Sequence, residues 1–186
     1  DPGFPTYAAM IGVAGGVPVP VPLLEEADFS FDLDVFDRAL SDRTRLIILN
    51  SPGNPTGGVM PLAALEHIAC AAAERDIWVL SDEIYSRLVF DGVQAPTIAG
   101  LPGMAERTII CDGFSKTYAM TGWRLGWLVV PETYVDAVTR LAQNLFLAPS
   151  TVAEYAALAA FLPETQAELA QRRQVFAQRR DFLQAA

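Results

Sequence analysis

An α/β fold, with a mostly parallel sheet and helices on both of its faces in a three-layer αβα arrangement, is predicted by three observations. Helix-like and strand-like patterns alternate along the chain. Several strand patterns are unbroken apolar runs, as in Leu46-Ile47-Ile48-Leu49 and Ile77-Trp78-Val79-Leu80, which suits strands covered from both sides. Polar residues gather just after those runs, at Asn50 to Gly57, Asp82 to Tyr85 and Asp112 to Lys116, and open α/β sheets bind ligands beyond the carboxyl ends of their strands.

Each element has its own signal. Val17 to Val21 is apolar but broken by prolines, so a short edge strand is expected. Leu33, Phe36 and Leu40 have helical spacing, with Asp32 or Asp34 near the helix start. Leu46 to Leu49 reads as a buried strand stopped by Asn50-Ser51-Pro52-Gly53. Pro61 then opens an alanine-rich helix to about Arg75, since proline is tolerated in a first turn. Ile77 to Leu80 is the next strand, followed by Leu88-Val89-Phe90 and an Asp91-Gly92 turn. Thr108 to Cys111 and Leu125 to Val130 are further strands, and Pro131 opens a helix to about Leu145. From Thr151, alanine-rich and then Arg/Gln-rich stretches on either side of Pro163 read as two helices. Their Gln171-Arg172-Arg173 and Arg179-Arg180 groups read as a solvated face, and His67 as a surface residue of the helix after Pro61. Two regions are expected, a larger one over 1–148 and helices over 149–186 that lead into a second domain.

Composition excludes several classes. With 186 residues, 52% hydrophobic and 19% charged, the chain can build one sizeable core. A net charge of −9 argues against a nucleic-acid partner, which needs a basic stripe. No apolar run is long enough to span a membrane, and no leader pattern follows Asp1. Cys70 and Cys111 lack the C-x-x-C spacing and fit a reducing, cytoplasmic setting. A single histidine, His67, cannot supply a multi-histidine metal site.

The chemistry concentrates in CDGFSKTYAMTGWRLG, residues 111–126. Lys116 follows the apolar Thr108-Ile109-Ile110 run, and Arg124 follows Lys116. Burial and a nearby cation both disfavour the ammonium form of a lysine. The neutral amine can condense with an aldehyde, and arginine offers a planar fork to a phosphate. A lysine with a phosphate anchor is what pyridoxal 5'-phosphate requires.

This segment resembles the lysine-attachment signature of the class I/II aminotransferases, the aspartate aminotransferase-like branch of the fold-type I pyridoxal phosphate enzymes. Gly113-Phe114-Ser115-Lys116 and Arg124-Leu125-Gly126 match it, although many members carry a phosphate-binding serine where Gly113 stands. The resemblance implies that Lys116 carries the cofactor and moves protons and that Arg124 grips the phosphate. In SPGNPTGG, residues 51–58, Asn54 matches the asparagine that bonds the 3′ oxygen of the cofactor. Asp82, in VLSDEIY, matches the carboxylate that pairs with the pyridine nitrogen, and Tyr85 the tyrosine that donates to the 3′ oxygen. Phe4, in DPGFPTY, matches the aromatic that stacks on the ring. Trp123 and Trp127 read as core residues, and Glu83 has no cofactor role that the resemblance assigns.

The implied activity is transfer of an amino group between an amino acid and a 2-oxo acid by a ping-pong Schiff-base route, in a homodimer. A lyase or synthase on the same scaffold, or an effector-sensing domain of a transcription regulator, are alternatives, because fold and cofactor do not decide reaction type. The family's Gly-rich phosphate loop does not occur before Phe4, and its substrate-carboxylate arginine lies beyond the helices that end the sequence. The chain is therefore expected to be the middle part of a longer enzyme.

Overall fold

Three adjacent strands form the parallel part of the sheet, and burial alternates along the first two. In the computed structural model, which describes residues 2–185, they are β1 (Leu46–Asn50), β2 (Trp78–Asp82) and β3 (Thr108–Gly113). β1 and β2 run parallel, with Leu46 opposite Trp78 and Asn50 opposite Asp82. β2 and β3 also run parallel, with Val79 opposite Thr108 and Asp82 opposite Cys111. Asn50, Asp82 and Cys111 thus form one row at the carboxyl edge. A fourth strand, β4 (Gly126–Val129), completes the order β1-β2-β3-β4.

The helices are α1 (Thr6–Val13), α2 (Leu33–Ala39), α3 (Leu62–Glu74), α4 (Glu132–Phe146), α5 (Thr151–Leu158) and α6 (Pro163–Ala185). No helix among the described residues is long and apolar enough to cross a membrane. The chain divides into two compact units. One holds the residues up to Glu83 with Ala95–Cys111 and Val129–Pro131, and the other holds Ile84–Gln94, Asp112–Leu128 and the chain from Glu132 onward.

The first unit is built on a dense aliphatic core. α3 buries Ala64, Leu65, Ile68, Ala69 and Ala72, the spacing of a single helix face. Ile68 and Val79 are fully enclosed, and Ile77, Ile98 and Met104 nearly or wholly so. Pro61 is the N-cap residue of α3, one place before the first turn. In α2 the Asp32 carboxylate caps the helix by accepting from Val35 N–H at 3.0 Å, which satisfies one of the open donors of a helix start. His67 is only partly on the surface. Its Nε2 lies 2.8 Å from Asp37, and Phe36 meets its ring edge-on at 5.9 Å, so it staples α3 to α2.

The second unit has a smaller, aromatic core of Phe114, Tyr118, Ala157 and Ala160. Phe114 packs against Tyr118 at 5.1 Å and Trp127 at 5.0 Å. Trp127 is thus a packing residue, but Trp123 is 44% exposed because it lies in the surface turn Thr121–Trp123. Neither α4 nor α6 buries a residue. The arginines of α6 are not all simply solvated. Arg180 reaches Asp91 at 2.6 and 3.3 Å and lies 5.3 Å over the Phe90 ring.

Two elements depart from expectation. Residues 17–21 form no strand, because Pro18, Pro20 and Pro22 remove alternate N–H donors. The nearest pairing is an isolated bridge between Leu24 and Ser30. In contrast, α1 forms where no helix is expected. Its sequence, TYAAMIGV, is apolar all round and carries no amphipathic period for a sequence reading to detect.

Candidate active site

In the first unit the site grows from the row at the end of the parallel strands. Asp82 is the last residue of β2 and is half-buried. The hydroxyl of Tyr7 donates to its Oδ2 at 2.5 Å, a charge-assisted bond that fixes the carboxylate. Asn50, beside it in register, donates through Nδ2 to the Asp82 carbonyl at 3.2 Å and accepts the Asn54 N–H at 2.8 Å. One asparagine side chain therefore joins the 51–58 turn to the strand that carries Asp82. That turn is closed further by Gly57 N–H to the Gly53 carbonyl at 2.8 Å and Met60 N–H to Ser51 Oγ at 2.9 Å. Phe4 is exposed at the start of α1, with its ring edge-on to Tyr7 at 5.7 Å. Phe4, Asp82 and the Asn54 turn are thus linked by Tyr7 and Asn50.

In the second unit the residue that holds the loop is Phe114. Its side chain is buried, its N–H donates to the Leu125 carbonyl at 3.1 Å, and its carbonyl accepts Met120 N–H at 3.1 Å. Lys116, just beyond this anchor, is exposed. The buried, apolar setting expected for it is absent, because Phe114 and Tyr118 take the inward places on either side. The Lys116 Nζ lies 5.7 Å over the centre of the Tyr85 ring, an electrostatically favourable place for a cation. Tyr85 is half-buried in the turn over residues 84–87. Arg124 is exposed, and its guanidinium donates to the Thr121 carbonyl at 3.0 Å.

This loop stores backbone strain. Ala119 and Arg124 have φ of 54° and 53°, left-handed conformations that cost a non-glycine residue roughly 1–2 kcal/mol each. Glycine is needed where β3 and β4 approach. A Cβ on Gly113 would lie 3.0 Å from the Gly126 Cα, and one on Gly126 would lie 2.9 Å from the Asp112 carbonyl oxygen. The absence of a serine at 113 thus has a packing reason within the chain itself.

Two polar residues at the site are missed by sequence reasoning. Tyr7 lies in the helix without a period, and its offset of one helical turn from Phe4 is the only signal. Asn50 reads as the stop of a strand, and its bridging role depends on the register of β1 against β2.

The strand-end carboxylate held by a phenol in the first unit suits a protonated ring nitrogen, and the solvent-facing lysine over a tyrosine ring in the second suits an aldehyde, so each residue by itself fits the chemistry of pyridoxal phosphate. The comparisons with known proteins show the family. The profile of the family "Aminotransferase class I and II" matches residues 1–186, and the chain belongs to that family. Its members use pyridoxal phosphate. Among curated relatives, aromatic-amino-acid aminotransferase 2 of Thermococcus litoralis is 46% identical over 164 residues, covering 88% of this chain and 42% of its own length. The arginine–pyruvate transaminase of Pseudomonas aeruginosa is 39% identical, covering 98% of this chain and 46% of its own length. Among solved structures, the aromatic aminotransferase of Pyrococcus horikoshii matches with a TM-score of 0.93 at 39% identity, covering 97% of this chain and 49% of its own. The chain therefore spans less than half the length of these relatives.

Proposed function

We propose that the full-length protein carrying this chain is a pyridoxal phosphate-dependent aminotransferase that moves an amino group between an amino acid and a 2-oxo acid, working as a cytoplasmic homodimer. The observation that carries this reading is the solvent-facing Lys116 amine, 5.7 Å over the Tyr85 ring, in a chain that matches the family throughout. The cofactor, when bound, withdraws electrons from the substrate α-carbon through its protonated ring. Asp82 would hold the proton on the ring nitrogen, and Tyr7 would keep the Asp82 carboxylate aimed. Asn54 and Tyr85 would hold the 3′ oxygen, Arg124 the phosphate, and Phe4 one face of the ring. Lys116 would carry the cofactor aldehyde and then, once released, take and return the proton of the substrate α-carbon.

The relatives are named for aromatic amino acids and for arginine with pyruvate, so the donor needs a direct test. The full-length protein is assayed with a panel of amino acids and 2-oxo acids. Parallel-line ping-pong kinetics with one donor class is the expected result. Lys116→Ala should lower turnover by a factor on the order of 10⁴ or more, as loss of a covalent group does. Borohydride reduction of the parent protein should fix the pyridoxyl group on the Lys116 peptide. Full activity of Lys116→Ala, or an adduct on another residue, overturns the proposal.

A further inference from the structure

We infer that Glu83 is a positioning residue for Asp82, a role that rests on the proposed part of Asp82 in holding the cofactor ring. Glu83 follows the last residue of β2 and continues the ladder, its N–H donating to the Cys111 carbonyl at 2.9 Å. Strand alternation puts Ser81 and Glu83 on one face and Asp82 on the other. On the first face a single oxygen, Glu83 Oε1, accepts two hydroxyls, from Ser81 at 2.9 Å and Thr97 at 2.6 Å. Ser81 is 6% exposed. The Glu83 partners are hydroxyls that a carboxylate or an amide oxygen can accept, so what matters is an acceptor at that point and not a pair with a cation.

These bonds immobilise both neighbours of the peptide that carries Asp82. Ser81 is fixed through its side chain, Glu83 through its side chain and its N–H, and Thr97 ties this strand end to the segment that enters the turn Ile98–Gly100. Asp82 projects from the opposite face, where the Tyr7 hydroxyl bonds its carboxylate. The arrangement divides the labour: Tyr7 sets the direction of the carboxylate, and Glu83 sets the backbone from which it projects. Outer contacts of this kind fix the groups that touch a bound molecule.

The test uses the full-length protein with pyridoxal phosphate as the probe. Cofactor affinity is measured by equilibrium dialysis, and the pH midpoint of the visible band of the bound cofactor by absorption. Glu83→Ala should weaken cofactor affinity roughly tenfold, as loss of an outer-shell partner does, and should shift the pH midpoint in the same direction as Asp82→Ala. Glu83→Gln, which keeps the acceptor, should stay close to the parent in both. A Glu83→Ala protein that loses only thermal stability, with affinity and midpoint unmoved while Asp82→Ala moves both, overturns the inference and leaves the reading of Asp82 intact. If Asp82→Ala moves neither, the reading of Asp82 falls instead. Should Glu83→Ala fail to fold, Thr97→Val removes the shorter bond at nearly constant volume and carries the same expectation, and parent-like values there overturn the inference.

Discussion

The two units hold Asp82 and Lys116 in opposite ways. In the first, Asp82 and the Asn54 turn are built into the sheet, bonded to Tyr7 and Asn50 and backed by enclosed residues such as Ile68 and Val79. In the second, Lys116 projects from a loop anchored by the Phe114 cluster, and neither of its two long helices fully buries a residue. Of the residues proposed to hold and tune a ring, Asp82 and Asn54 are tied to the sheet edge, whereas Tyr85 and Arg124 stand in turns of the second unit. Lys116, proposed to react, follows a single buried anchor, Phe114, within its own unit. A group that must change partners in each cycle gains from having few, whereas a group that must keep its direction gains from having several.

This contrast can be broken by substitution. The largest stability effect is expected in the first unit. Ile68→Ala should cost about 2–5 kcal/mol by cavity formation, read as a fall in the urea midpoint of the full-length protein. Lys116→Ala, exposed, should stay within about 0.5 kcal/mol of the parent. If the two variants unfold alike, the division between scaffold and reactive residue is wrong. Gly126→Ala places a Cβ 2.9 Å from the Asp112 carbonyl oxygen and should cost about 1–3 kcal/mol by overpacking, with weaker cofactor retention because the loop between β3 and β4 must move. The smallest effect is expected at the Asp91–Arg180 pair. The hydrogen bond from Arg180 holds the Asp91 carboxyl below the usual carboxylate range. Its stabilisation is present above the ordinary aspartate value, about 3.9, and is lost as pH falls through the lowered folded value. Asp91→Asn should therefore melt slightly below the parent at pH 7 and together with it in strong acid. Because the pair is on the surface, its effect should be small and sensitive to salt.

Much of the framework was legible in the sequence because the signals are local. The apolar runs of β1 and β2, the Asp32 cap and the Pro163 break each announce an element within a few residues. The places of Lys116, Asp82 and Asn54 are legible because each sits in a short pattern at or just after the end of a strand. What was not legible depends on distance along the chain. The environment of Lys116 follows from Phe114 and Tyr118 taking the inward positions, which the apolar count around the lysine does not reveal. Tyr7 meets Asp82 across 75 residues, and Arg180 meets Asp91 across 89, so neither partnership leaves a trace in spacing. The failed strand at 17–21 is a conflict between apolar content and missing donors, and the missing donors won.

The agreement between spatial and sequential strand order has a consequence for how the chain is made. Asn50 finds Asp82 across 32 residues, and β3 then adds beside β2. Parallel sheets are usually slow to assemble because their partners are remote, but each of the four described strands lies beside the one that precedes it in the sequence. The entropy of closing each crossover is modest. Most of the aliphatic centre can therefore gather while the later helices are still leaving the ribosome.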